Sequence, residues 1–184
     1  MKIELKAIQH NSKLSQETYC FSAVVYIDGV RAGAANNAGT GGANSYDPPA
    51  LWARLEEYAK TLPAIKSHGM TLKVDADMLI LDLVTDWLLE KDLRSMLAKR
   101  IGFTQNTCEE LQFTKALKPA QLADLLRDEA GLRKSLKDVK EILNLMPFDQ
   151  ALKIWMKEVE RQKNQMNAEA EASAAARSRG SPRP

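Results

Sequence analysis

Apolar and polar residues alternate from the first positions of the chain. Ile3, Leu5 and Ala7 fall between Lys2, Glu4 and Lys6, which is the period of a half-buried strand. After a polar, turn-like stretch at 10–17, a second strand is predicted over 19–27. There Phe21, Ala23, Val25 and Ile27 share one face, and Cys20, Val24 and Tyr26 share the other. Asp28-Gly29 then supplies the positive φ values that a two-residue hairpin turn needs. A return strand over 30–35 carries Gly33 and small alanines, so something should pack closely against it.

The pattern then becomes helical. Asp47-Pro48-Pro49 opens a helix whose stripe is Leu51, Trp52, Leu55, Tyr58, Ala59 and Leu62, and Pro63 stops it. Residues 63–73 are polar and predict a linker containing His68 and Gly69. A long helix is expected over 74–100, with Met78, Leu81, Val84, Trp87, Leu88 and Met96 as its apolar positions. Its acids come early (Asp75, Asp77, Asp82) and its bases late (Arg94, Lys99, Arg100), which complements the helix dipole. Phe103 and 109–115 predict a small hairpin with Leu111 and Phe113 on one face. Lys118-Pro119 opens a helix that turns Leu122, Leu125 and Leu126 inward and has Gly131 near its end. Residues 136–143 fit either a short strand or a helix, and 144–147 read as a cap and helix start. A final helix over 148–165 is anchored by Ala151, Leu152, Trp155 and Val159. Residues 167–184 hold no large apolar side chain to repay the entropy of ordering and predict a disordered tail.

These elements make an α+β protein. A small N-terminal antiparallel sheet packs on helices, and the C-terminal half is mostly helical. The predicted organisation is a hairpin-and-helix unit at 1–62, a linker at 63–73, a mainly helical unit at 74–166 and the tail at 167–184.

Composition excludes more functions than it suggests. The chain of 184 residues has a net charge of +2, so no global excess advertises nucleic acid. Two cysteines, Cys20 and Cys108, and two histidines, His10 and His68, lie too far apart in sequence for a structural zinc pattern. The most apolar run, 78–89, is broken by Asp82 and Asp86 and is too short to span a bilayer, so a cytoplasmic protein without membrane contact is expected. No catalytic triad, cofactor motif or metal motif is readable, and an enzyme is not favoured.

Three features invite chemistry. The first is the run 36–46, NNAGTGGANSY, where Asn37, Gly39, Thr40, Gly41, Gly42 and Asn44 form a candidate ligand or partner loop. Consecutive backbone N–H groups in such a loop can cradle an anion. The run lacks the lysine of a P-loop and the third glycine of a dinucleotide loop, and the next helix starts late. The second is the carboxylate row Asp82, Asp86 and Glu90, which lines one helical face. The third is a candidate basic patch, Arg133, Lys134, Lys137 and Lys140, diluted by nearby acids and without interleaved aromatic residues.

The N-terminal quarter carries a resemblance. Residues 2–6 (Lys-Ile-Glu-Leu-Lys), Ser15, Glu17-Thr18, 20–23 (Cys-Phe-Ser-Ala), 26–29 (Tyr-Ile-Asp-Gly), Gly33, Asn37, Gly39 and 41–44 (Gly-Gly-Ala-Asn) resemble a family of small, uncharacterised phage and prophage proteins. Members of that family have an N-terminal hairpin ending at a glycine loop, often G-H-G-G-C-N, followed by helices. Thr40 and Ala43 stand here where the histidine and cysteine would be, which argues against metal or thiol chemistry in the loop. The resemblance implies a phage-encoded accessory protein of the bacterial cytoplasm that modulates host machinery or defence. The leading expectation is therefore a non-catalytic protein that binds a host or phage macromolecule, a protein partner foremost. The alternatives are a small-ligand or nucleotide binder using 37–46, and a weak nucleic-acid binder using the basic patch and the tail arginines Arg177, Arg179 and Arg183. The pattern does not set an oligomeric state.

Overall fold

The computed structural model describes residues 1–67, 70–108 and 110–179. The fold is α+β and divides into two compact units, Met1–Leu88 and Leu89–Pro184. The division falls inside a helix, not at 63–73. That segment is a two-stranded ladder, β5 (Ile65–Ser67) and β6 (Met70–Leu72), in which Ile65 pairs with Leu72. His68 and Gly69, expected in the linker, lie outside the described residues.

The first unit is built on an antiparallel sheet in the order β1 (Ile3–His10), β2 (Cys20–Ile27), β3 (Val30–Ala38), β4 (Ser45–Asp47). Phe21, Ala23, Val25 and Ile27 are all buried, as their alternation requires. Asp28 and Gly29 both take positive φ, 51° and 81°, and Ile27 pairs with Val30 across the turn. Helix α1 (Ala50–Ala59) follows Pro49 and buries Leu51, Leu55 and Ala59. A Cβ on Gly33 would strike the Asp47 carbonyl and come 2.9 Å from the Leu51 side chain, so glycine is what lets the start of α1 approach the sheet.

Two apolar expectations in this unit need correction. Trp52 is 50% exposed, not a core anchor, because the 51/55/59 row sets the buried face of α1. Helix α2 (Ala76–Leu97) buries Ala76, Ile80 and Val84, whereas Leu81 is exposed. Its apolar residues are not confined to the carboxylate-free core face, so more than one stripe satisfies the period, and packing against the sheet selects the face. Burying such side chains contributes about 1.5–3 kcal/mol each.

The second unit holds a three-stranded antiparallel sheet in the order β8 (Gln112–Phe113), β7 (Gly102–Gln105), β9 (Val139–Ile142). The predicted hairpin is present, with Leu111 buried just before β8 and outside it. Residues 136–143 contain strand β9, which resolves that ambiguity. Helix α3 (Pro119–Arg127) buries Leu122 and leaves Leu125 exposed. Gly131 does not end that helix. It lies in the first turn of a separate helix, α4 (Glu129–Leu136), and donates its N–H to the capping Asp128 carboxylate at 2.9 Å. Asn144 ties three elements of this unit together. It accepts from Gly102 N and donates to the carbonyls of Leu97 and Arg100, each at 3.0 Å.

Helix α5 runs Phe148–Arg179, beyond its predicted end at 165. Residues 167–179, expected as tail, continue as helix. They are mostly Ala and Glu, whose propensity favours helix without any packing. The rest of that tail, 180–184, lies outside the described residues.

Trp155 on α5 packs edge-on to Phe113 at 5.9 Å, and its buried indole N–H meets no acceptor among the described residues. Trp155→Phe should therefore cost less than about 1.5 kcal/mol, since it removes an unpaired donor together with some ring area. Urea unfolding checks this, and a loss twice as large would mean that the indole is hydrogen-bonded.

Candidate functional site at the glycine corner

The run 36–46 is less of a loop than it reads. Asn36 and Asn37 lie in β3, and residues 45–47 return as β4, with Asn36 opposite Ser45 and Ala35 opposite Tyr46. Only 39–44 bridge the two strands. Alanine, asparagine and aspartate are weak strand formers, so the pattern concealed the end of β3 beyond 35 and the short β4.

Asn37 organises the corner. It is 8% exposed, and its side-chain oxygen accepts from the Thr18 hydroxyl (2.8 Å) and from Gly39 N (2.9 Å). Its amide donates to the Gly42 carbonyl (3.2 Å) and to Asn44 Oδ1 (3.1 Å). The Gly39 carbonyl in turn accepts the backbone N–H groups of Gln16 (2.8 Å) and Glu17 (3.1 Å). Gly39, Gly41 and Gly42 have φ of 86°, 88° and 92°, values that side-chain-bearing residues rarely adopt. Asn44 N donates to Asp77 Oδ2 at 3.3 Å, and the Tyr46 hydroxyl donates to Asp77 Oδ1 at 2.6 Å. Burial, reinforced by that bond to Asp77, pushes the Tyr46 phenol well above its ordinary value, so it stays a donor.

Beside the corner lies a small cleft of about 130 Å³, whose walls include Thr18, Tyr19, Asn37, Gly42, Asn44, Asp75 and Asp77. This arrangement offers little to a phosphate. The N–H groups of Gly39, Gly41 and Asn44 already have acceptors within the protein, and two carboxylates face the cleft. Thr40, Gly42 and Ala43 are exposed at the surface of this fixed frame.

The other candidate residues are placed as follows. Arg133 pairs with Glu129 at 2.8 Å and also reaches the Lys140 carbonyl at 3.4 Å. Lys134 is exposed on α4, Lys137 takes a left-handed conformation at the turn (φ 49°), and Lys140 stands on β9. The patch is thus three dispersed lysines and one compensated arginine. Asp82 and Asp86 have carboxyls raised above the ordinary range, by partial burial first and, at Asp82, by repulsion from Asp86. Glu90 pairs with Arg94 at 2.7 Å. His10 lies 3.2 Å from the Ser15 hydroxyl, which itself donates to the Asn11 carbonyl. No group of three or more His, Cys, Asp or Glu is placed to hold a metal among the described residues, and no helix there is long and apolar enough to cross a membrane.

Thr18, Tyr46 and Asp77 were not among the predicted site residues. Thr18 stands within the Glu17-Thr18 pair that carries the family resemblance, which is the one sequence signal for it. Asp77 reads only as a first-turn acid, because nothing local links it to a loop more than thirty positions earlier.

A scan of protein-family models, a search of curated proteins and a search of solved structures each returned no match to the chain.

Proposed function

We propose that the chain is a non-catalytic accessory protein of the phage or prophage type that binds a host or phage macromolecule through the glycine corner. The supporting observation is the Asn37 network. It fixes 39–44 by hydrogen bonds within the unit and leaves Thr40, Gly42 and Ala43 outward. A surface ordered before encounter loses little entropy on docking. The resemblance supplies the setting, a bacterial cytoplasm in which the partner belongs to host machinery or defence.

The test is affinity capture from bacterial lysate with the full chain and two variants, Thr40→Glu and Ala43→Glu. Both positions are exposed, so neither substitution should move the melting temperature by more than a degree or two. A protein captured by the parent chain and lost with both variants supports the reading. Capture that survives both substitutions removes the corner as the docking surface.

A further inference from the structure

We propose that the open edge of β1 pairs with the same edge of a second copy of the chain, antiparallel and about a twofold at Ile3, so that the two N-terminal sheets join into one. Strand β1 ends the sheet order and has a neighbour on one side only. The opposite edge strand, β4, has 3 residues and runs into Pro48-Pro49, so it offers little to a partner, whereas β1 has 8.

The register shows which backbone groups of β1 are free. Asp28 N donates to the Lys2 carbonyl at 2.8 Å, and Lys2 N donates to the Asp28 carboxylate at 2.7 Å. Lys2 therefore turns its backbone groups toward β2 and, by alternation, so does Glu4, opposite Tyr26. The hairpin gives the same parity from the other side. Ile27 pairs with Val30 across the tight turn, so its N–H and C=O serve β3 and not β1. Ile3, opposite Ile27, and Leu5, opposite Val25, thus direct their N–H and C=O away from β2, and no other element bonds to them among the described residues. A row of unmatched groups at a sheet edge is a template for a further strand. The straight part of this edge ends at Ala7, where a φ of 50° and a shifted register mark a bulge.

The side chains choose the occupant. About a twofold at Ile3, a second antiparallel copy sets Ile3 against Ile3, Met1 against Leu5 and Lys2 against Glu4. The apolar contacts fall on the face that packs on the core, where Ile3 and Leu5 are only partly buried and Met1 is 48% exposed. The charges fall on the opposite face. Each Glu4, 2.8 Å from its own Lys2, gains the Lys2 of the other copy. Opposite charges directly across an antiparallel pair are favourable, and like charges are not. A twofold at Glu4 would use the same backbone groups but would set Glu4 against Glu4 and Lys2 against Lys6. A twofold at Leu5 would run into the bulge at Ala7. Charge and backbone together leave the Ile3 register. The edge shares no residue with the glycine corner, so the proposal stands or falls independently of the proposed function.

The test is sedimentation velocity of the full chain over a concentration series, joined to hydrogen exchange. A dimer should form as the concentration rises. The Ile3 and Leu5 amides should be protected only in the dimer, while the Glu4 amide, bonded to β2, should be protected at every concentration. Glu4→Lys and Lys2→Glu should each weaken the dimer about tenfold or more, because both symmetric pairs become repulsive. The double variant Lys2→Glu/Glu4→Lys should restore it, and Lys153→Glu, on α5, should leave it unchanged. Melts of dilute protein establish that each variant folds, and where one single variant does not, the other carries the comparison. The proposal is overturned if the chain stays monomeric throughout the series, if the Ile3 and Leu5 amides are already protected in the monomer, if a folded single variant dimerises like the parent chain, or if the folded double variant fails to restore the dimer.

Discussion

Gly39→Val should cost about 3–4 kcal/mol, while Gly42→Ala should cost about 1 kcal/mol. Both glycines hold a left-handed backbone, so both substitutions carry that strain. The surroundings separate them. A Cβ on Gly42 meets nothing within 4 Å. One on Gly39 would strike the Leu14 carbonyl and come 2.8 Å from Cys20 Cβ, and both neighbours are fixed. Relieving the clash moves the Gly39 carbonyl away from the N–H groups it accepts from Gln16 and Glu17, leaving donors unpaired. Gly41→Val lies between the two, since the atom in its way is Glu17 Oε2, the tip of an exposed side chain that can swing aside. Urea unfolding of the three variants should rank them Gly39, Gly41, Gly42 from most to least damaging. A Gly39→Val midpoint equal to that of the parent chain would falsify the fixed corner. The middle variant is thus a poor probe of partner binding, because it perturbs the fold as well. Thr40→Glu and Ala43→Glu do not share that fault.

Glu158→Ala should cost about 2–3 kcal/mol at pH 7, and the cost should shrink in acid. The buried carboxylate accepts from Arg161 at 2.8 Å and from Gln162 at 2.7 Å, and its loss leaves these two donors unpaired and Arg161 with only its exposed ion pair to Glu110 at 3.1 Å. The Arg161 hydrogen bond, outweighing desolvation, holds Glu158 below its ordinary value of 4.5. A carboxyl depressed in the folded state contributes its stability in full above its unfolded value. That contribution is lost as the pH falls through the folded value. Stability curves of the parent and Glu158→Ala chains should therefore lie apart at neutral pH and converge on acidification. A gap independent of pH would show that Glu158 acts by packing alone.

The elements with a strong local signal were legible in advance. The 21/23/25/27 alternation, the Asp-Gly turn and the proline-led start of α1 all stand where the pattern placed them. Helix faces were less so. Trp52 and Leu81 satisfy a helical period as well as Leu51 and Ile80 do, and only the apposed sheet distinguishes them. Short strands of small or polar residues, β4 and β5 among them, gave no period at all. Of the candidate site, the glycine run was visible and its purpose was not. Thr18 and Asp77, which accept from Gly41 N and Asn44 N, lie 23 and 33 positions away along the chain.

By itself, then, the sequence determined the α+β class, the first hairpin and the lack of any readable cofactor motif. Those are properties of nearest neighbours in the chain, set by turn sterics and by hydrophobic period. The tertiary structure alone decided which apolar stripe is core, that 63–73 holds paired strands, and that the N–H groups of Gly39 and Gly41 are spent inside the protein. It also decided that β9 carries a bulge at Lys140. Each of these depends on hydrogen bonds and contacts between residues distant in the chain, and such contacts leave no mark on local pattern.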